Sequence, residues 1–502
     1  MQLDFQEIAQ CTKGAFEVEP QGEKSLATGL TWDSREVKPG ELYVALPGER
    51  VDGHDFVAAA LAAGASGALV MRPLPEEAYE AARAAGAAVV RVPDTSRAVT
   101  DLAREWRGHL KGRVMGLTGS TGKTTTKNLV RDVLAASHSV VATQANQNNE
   151  LGVPKTILSA DEDTQAVVVE MGMRGRGQIE QLCEVVRPDW GLVTNVGECH
   201  IELLGSRENI ARAKAELLCA LPEGEGVAFL NGCDDYADFM REEAGLEERG
   251  VRTVCFDGSG RCGGAESDDG WRGGAAVWAE DVRLDDQGRP RFTLCARGFA
   301  DADGVAGVGE AAAAVERQDC ALELRGLHNV GNACSAAAVG RAFGMPLDVV
   351  ARALAGALPE SGRQEVLQAP GGFIVVNDAY NANPDSMRAA LSTFCALKVP
   401  GRRVAVLGDM GELGDHADAC HERIGSFAAT LPLDRLVCVG ELSRRIADAA
   451  ERGGMPASQI VRVSSVEQAL EDVDAWLRPG DAVLVKASHF MGLERVVEGL
   501  VG

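Results

Sequence analysis

The stretch VMGLTGSTGKTTTKNLV, residues 114–130, allows few folds. Val114 to Leu117 is an apolar, strand-like run, and Thr124 to Ala135 reads as a helix. The glycines between them therefore occupy a strand-to-helix turn, which needs a sheet beneath it and points to an α/β domain. Such a turn gathers backbone N–H groups and a helix N-terminus where an anion is favoured. The spacing is that of a phosphate-binding loop with one departure: the first glycine, expected five residues before Gly122, is Leu117. Gly119, Ser120, Thr121, Gly122 and Thr125 supply the cradle for ATP. Lys123 can reach its β and γ phosphates, and the Thr124 hydroxyl suits Mg²⁺. The competing reading is a glycine-rich turn with a surface lysine.

At 502 residues the chain exceeds one hydrophobic core, and the length predicts roughly three domains. Residues 1–110 mix short strands (GELYVAL, GALVM, AAVVRV) with alanine-rich helical stretches, as in a mixed α/β domain. Residues 111–361 carry the phosphate loop. AVVVEMG and WGLVTNVG there are apolar and β-branched, like parallel strands covered on both faces. Within them, glycine- and alanine-rich stretches flank a hairpin candidate, AEDVRLDDQGRPRFTLCARG, read as long surface loops on a β-rich excursion. Residues 362–502 begin a second alternation (GGFIVVNDAY, RRVAVLGDMGELG, DRLVCVG, DAVLVKAS) that predicts a Rossmann-like C-terminal domain.

The formal net charge of -24 argues against nonspecific attraction to nucleic acid or anionic membranes. No stretch approaches the ~20 apolar residues of a membrane span, and MQLDFQEIAQ lacks the features of a signal peptide. The 13 cysteines are scattered, without C-x-x-C pairs, as reduced thiols would be. A cytoplasmic monomer is expected.

GLTGSTGKTT resembles the shortened loop of the Mur ligase family, whose usual form is T-G-[ST]-x-G-K-[ST]. TQANQNNELGVP, AVVVEMGMRGRGQI, TNVGECHIELLGSRENIARAKAELL, GLHNVGNACSAAA, SGRQE, NDAYNANPDSM, VLGDMGELG and LVKAS continue the likeness in order, from Thr31 to the C-terminus. Within that family these segments resemble the members that add D-alanyl-D-alanine to UDP-N-acetylmuramoyl-tripeptide for peptidoglycan. The resemblance implies an ATP-dependent amide-bond ligase working through an acyl phosphate.

Glu170 ends an apolar strand, where local sequence leaves a Mg²⁺ ligand and a solvated carboxylate equally open; the resemblance implies the ligand. It also implies a metal role for His200. Lys214 lies in NIARAKAELL, which by itself reads as a helix-surface cation. The resemblance implies a lysine carbamylated by CO₂, an anionic oxygen ligand and part of the catalytic set with Lys123, His200 and Arg363. His328 and Asn329 are candidates for the adenine, Arg363 for the γ-phosphate and Asp378 for the ribose. WDSREVKPGELYVALPGERVDGHDF resembles the uridine-nucleotide-binding start of these ligases, with Ser34 and Arg35 facing the UDP part. Asn148 and Asn149 are expected at the sugar or peptide, and Lys486 and Ser488 at the dipeptide. His416, Cys420 and His421 make only a weak zinc set, without a fourth ligand.

The nearest rival readings are a ligase adding the third stem-peptide residue and a folylpolyglutamate synthetase, which lacks the long segment before its phosphate loop. A P-loop regulatory NTPase would explain the loop but not Arg363, Asp378 and a whole second α/β unit.

Overall fold

Three separate sheets organise the chain, in a computed structural model that describes residues 1–48, 51–259, 276–297 and 315–502. The N-terminal sheet has the order 15–18, 88–91, 67–70, 42–44, 30–31, parallel except for its first strand. A two-stranded ribbon, 3–4 with 26–27, stands beside it.

The central sheet has nine strands, in the order 140–142, 166–170, 113–118, 190–193, 227–231, 252–257, 277–284, 290–296, 316–321. Its first seven strands are parallel. Ala166–Glu170 and Trp190–Val193 are buried along their whole length, which is why their sequences lack the alternation of a half-exposed strand. The last two strands turn antiparallel, and the predicted hairpin is 277–284 against 290–296. The flanking stretches 260–275 and 298–314, read above as surface loops, lie outside the described residues.

The strand Arg113–Thr118 occupies a switch point. The next two strands lie on one side of it and the following ones on the other, so a crevice opens at the carboxyl ends. The helix His328–Ala342, buried from Asn332 to Arg341 and rich in alanine, packs against the helix Lys123–Ala135 that follows the phosphate loop.

The C-terminal sheet runs 365–368, 374–377, 482–486, 403–408, 435–439, 460–463, parallel except at its first edge. Its two outer strands, Glu365–Gln368 and Ile460–Val463, carry too little apolar periodicity to stand out in the sequence.

The domains touch through specific polar contacts as well as apolar packing. The Met1 ammonium and Trp106 Nε1 both donate to the Ala160 carbonyl at 2.9 Å, tying the N-terminal unit to the central one. Asn128 Nδ2 donates to Glu360 Oε2 at 3.0 Å beside the junction with the C-terminal unit. No helix of the described residues is long and apolar enough to cross a membrane.

Candidate active site

A cleft of about 1360 Å³ lies where the domains meet, and the phosphate loop forms one wall of it. The loop closes tightly enough to demand glycine at two positions. A Cβ on Gly119 would sit 1.8 Å from Thr194 Oγ1, and Gly122 has φ 76° with Asn332 Oδ1 only 2.6 Å from where its Cβ would be. Asn195 fastens the loop from the neighbouring strand end: its Oδ1 accepts from Thr121 N at 3.0 Å, and its carbonyl accepts from Ser120 N. Ser120 Oγ in turn accepts from Gly197 N at 2.8 Å. Lys123 folds back to donate to the Gly119 carbonyl at 2.8 Å, and Thr125 also borders the cleft. A phosphate arriving at the helix N-terminus would offer Lys123 a charged acceptor in place of that carbonyl.

Thr124 is the meeting point of the two catalytic walls. Its hydroxyl donates to Glu170 Oε1 at 3.2 Å and accepts from an Arg363 guanidinium N–H at 2.9 Å. Asn148 Nδ2 also donates to Glu170 Oε1, at 2.9 Å. The other oxygen, Oε2, is buried and accepts no hydrogen bond from a described residue. A buried carboxylate oxygen left in this way is costly unless a cation meets it. The donor set of a hydroxyl and a hard carboxylate oxygen fits Mg²⁺. Among the described residues no three His, Cys, Asp or Glu side chains form a preformed metal cage. Phosphate oxygens, water or further protein groups would therefore have to complete the coordination.

Lys214 is not on a helix surface. It is 2% exposed, and its ammonium has no hydrogen bond or ion pair with a described residue. Burial first, then the nearby Lys123 charge, pulls its pKa down to about 7. Near neutral pH a large share of Lys214 is thus the free amine, the form that adds to CO₂.

His200 borders the cleft in the left-handed conformation (φ 62°), and its Nδ1 lies against Glu412 of the C-terminal domain. Burial pushes the imidazole down, but Cys199 and Glu412 outweigh it and hold its pKa above the usual range. The ring is then an imidazolium, so ligating a metal requires a proton to leave it.

The opposite wall belongs to the C-terminal domain. Asp378 accepts from Lys486 Nζ at 2.8 Å and from Gln364 N at 3.2 Å, and burial raises its carboxyl despite the lysine. Lys486 also donates to the Asn381 carbonyl at 2.8 Å. His328 and Asn329 border the cleft from the start of their helix. The Asn329 amide donates to the Arg325 carbonyl and accepts from Asn332 Nδ2. Asn148 and Asn149 border the cleft as well, and Asn149 Oδ1 accepts from Gly152 N to start the helix Gly152–Ser159.

Ser488, Ser34 and Arg35 stand apart from this cleft, and Lys214 is not among the residues that line it. Ser488 is buried, accepting from Gly411 N and donating to the Ala382 carbonyl, so its hydroxyl braces two loops. Ser34 and Arg35 follow the strand Leu30–Thr31 of the N-terminal domain. Arg35 is exposed and grips Asp33 with two N–H groups. Trp32 beside them lies under the Lys155 ammonium, 4.5 Å from its ring centroid. His421 is structural: buried, with Nε2 accepting from Met410 N at 3.0 Å.

Sequence reasoning missed Asn195 and Lys127; of Glu412 it expected only that its segment, GDMGELG at a strand end, would make contacts between domains. Lys127 is buried one turn beyond Lys123 and donates to the Thr143 carbonyl at 2.7 Å, holding the asparagine-rich segment beside Glu170. Its spacing of four from Lys123 was the only signal available, and on a helix that spacing marks a shared face rather than a role.

Three family models match the chain in order: Mur ligase family, catalytic domain, over residues 27–107; Mur ligase middle domain over 117–340; and Mur ligase, glutamate ligase domain, over 362–489. A UDP-N-acetylmuramoyl-tripeptide--D-alanyl-D-alanine ligase from Mycobacterium tuberculosis is 37% identical, aligned over 100% of this chain and 98% of its own. A solved structure of MurF from Acinetobacter baumannii superposes with a TM-score of 0.79 at 30% identity, covering 100% of this chain and 99% of that one. MurF ligase from Thermotoga maritima in complex with ADP superposes at 0.71 with 26% identity, covering 94% and 97%.

Proposed function

The chain belongs to the Mur ligase family, and from that premise we propose that it uses ATP to join D-alanyl-D-alanine to UDP-N-acetylmuramoyl-tripeptide, completing the pentapeptide precursor of peptidoglycan. The observation that carries this reading is the convergence at Thr124. A phosphate loop, a buried carboxylate and an arginine from beyond the central domain meet there, on a cleft that the C-terminal domain closes from the other side. The chemistry requires two anions, ATP and a peptide carboxylate, to be held against each other while charge shifts.

A carboxylate oxygen of the tripeptide attacks the γ-phosphorus, and the bond to the β–γ bridging oxygen breaks to release ADP. The amine of D-alanyl-D-alanine, arriving neutral, then attacks the acyl carbon. The carbon–oxygen bond to phosphate breaks, and the nitrogen sheds its extra proton. Lys123 and Arg363 hold the transferring phosphoryl group from two sides, and the loop N–H groups hold the rest of the triphosphate. Mg²⁺ bound at Thr124 and Glu170 would neutralise phosphate charge as it moves toward the leaving group. Lys214, as the carbamate formed from its free amine and CO₂ with loss of a proton, would add an anionic oxygen to that site. His200 would add a nitrogen once deprotonated.

In this division of labour, residues 1–110 take the UDP part through Ser34 and Arg35. Residues 111–361 take ATP, with His328 and Asn329 at the base. Residues 362–502 bring Asp378 to the ribose and Lys486 to the dipeptide. Asn148 and Asn149 meet the sugar or peptide end. A cytoplasmic monomer fits this reading, because ATP and a UDP-linked acceptor are both cytosolic nucleotides.

The test is a ligation assay with ATP, Mg²⁺, D-alanyl-D-alanine and UDP-tripeptides ending in diaminopimelate or lysine. Pentapeptide and ADP should form together and only when all components are present. ADP release that ignores the dipeptide, with no pentapeptide from either acceptor, would overturn the proposal in favour of an NTPase.

A further inference from the structure

Glu412 follows the strand Arg403–Gly408 in the C-terminal domain, yet its polar contacts belong to the central domain. One carboxylate oxygen meets Arg174 Nε at 3.3 Å, and the other lies against His200 Nδ1 as an ion pair, without the geometry of a hydrogen bond. Its backbone carbonyl accepts from Glu202 N at 3.3 Å. Both members of the central pair hold a conformation that side chains rarely adopt: φ is 62° at His200 and 59° at Glu412. Such backbone is strained at each position and persists where surrounding contacts impose it.

A histidine that meets a metal through one nitrogen usually donates through the other to a carboxylate, which sets ring orientation and tautomer. Among the described residues the ion-pair partner of His200 is Glu412, a residue of another domain. We infer that Glu412 is a positioning residue delivered to His200 by domain closure, holding the Nδ1 side of the ring so that Nε2 is the nitrogen left to serve a metal. The inference rests on the ligase reading above and deepens it: the metal site reaches full form only while the C-terminal domain is docked. ATP bound to the open protein would then lack one ligand, which protects it from idle hydrolysis before the acceptor and dipeptide close the cleft.

The experiment compares E412A, E412Q, R174A, H200A and the H200A/E412A double variant with the wild-type chain. Two readouts are taken with UDP-tripeptide present: kcat and KM for ligation, and Mn²⁺ affinity by electron paramagnetic resonance with a non-hydrolysable ATP analogue. E412A should lower kcat and Mn²⁺ affinity about 10–100-fold while leaving KM for ATP within about threefold. E412Q, whose amide oxygen can still face Nδ1, should recover most of that loss. In the H200A background E412A should cost nothing further. The inference fails if E412A keeps Mn²⁺ affinity within about twofold of wild type. It fails equally if E412A costs as much without His200 as with it, or if R174A reproduces the whole effect. Glu412 would then only dock the domains. A wild-type chain without ligation would sink the ligase reading instead, and the Mn²⁺ coupling between His200 and Glu412 would still be readable.

Discussion

The Arg363 guanidinium donates to the Thr124 hydroxyl at 2.9 Å, bridging from the edge of the C-terminal domain to the first turn of the phosphate-loop helix. It lies over the Tyr380 ring, 4.2 Å from the centroid, and 3.9 Å from Glu360, so packing and charge aim it from two directions. Once a γ-phosphate arrives, that guanidinium has a doubly charged acceptor beside its present one. Arg363→Ala should reduce kcat by about 10²–10³, the range for one charge-stabilising donor. Arg363→Lys should not restore it, because a point charge lacks the fork and the stacking plane. Full activity in the lysine variant would show that charge alone is needed.

Lys123→Ala should abolish ligation, with a loss of at least about 10²–10³ in rate. Its ammonium now rests on the Gly119 carbonyl, so deletion breaks one local contact and should leave the fold intact. Circular dichroism unchanged beside absent turnover is the expected pair of results. Activity within a factor of about two would remove the phosphate-loop assignment.

Glu170→Gln separates charge from hydrogen bonding. The amide oxygen can keep the contacts from Thr124 and Asn148, but the buried, unpartnered Oε2 becomes a neutral N–H₂. Turnover should fall about 10²-fold at moderate Mg²⁺ and recover partly as Mg²⁺ is raised. Thermal stability without nucleotide should hold or rise, because an uncompensated buried charge has been removed. A Mg²⁺ dependence identical to wild type would take Glu170 out of the metal site.

Lys214 yields opposite predictions for stability and activity. Its pKa is about 7 in the fold against an ordinary 10.5, so the unfolded chain binds more protons between those values. Stability should therefore rise with pH across that window, and the cost of burying the amine is fully present below about pH 7. In carbonate-free buffer Lys214→Met should raise the melting temperature most at or below about pH 7, with the gain fading toward pH 10.5. Activity of Lys214→Ala should collapse, and added acetate or formate should return part of it by filling the place of the carbamate. Near-normal turnover without any additive would rule out an essential carbamate.

Domain closure should be visible in solution. The cleft is bordered by both the nucleotide loop and Asp378, and two domains sharing ligands in this way usually move to exclude water. Small-angle scattering should report a smaller radius of gyration with ATP analogue and UDP-tripeptide bound together than with either alone. Identical profiles in all states would argue against closure.

Much of this architecture was already determined by local sequence. The phosphate loop is legible from neighbouring residues, glycines at a strand-to-helix turn followed by Lys123 and Thr124 where the helix begins, although the atoms that leave no room for a Cβ at Gly119 and Gly122 belong to the distant Thr194 and Asn332. The parallel strands announce themselves because burial on both faces forces an unbroken apolar run. The tertiary structure alone decided the state of Lys214 and the partner of His200. The helix Arg207–Cys219 carries charged residues around Lys214, which makes it read as a surface cation. Only the packing of the other elements buries it and brings the Lys123 charge near. Glu412 lies more than two hundred residues from His200, and Arg363 lies as far from Thr124. Periodicity and spacing report what happens within one helix or strand. Contacts between domains depend on how whole sheets are set against each other, which no local pattern encodes.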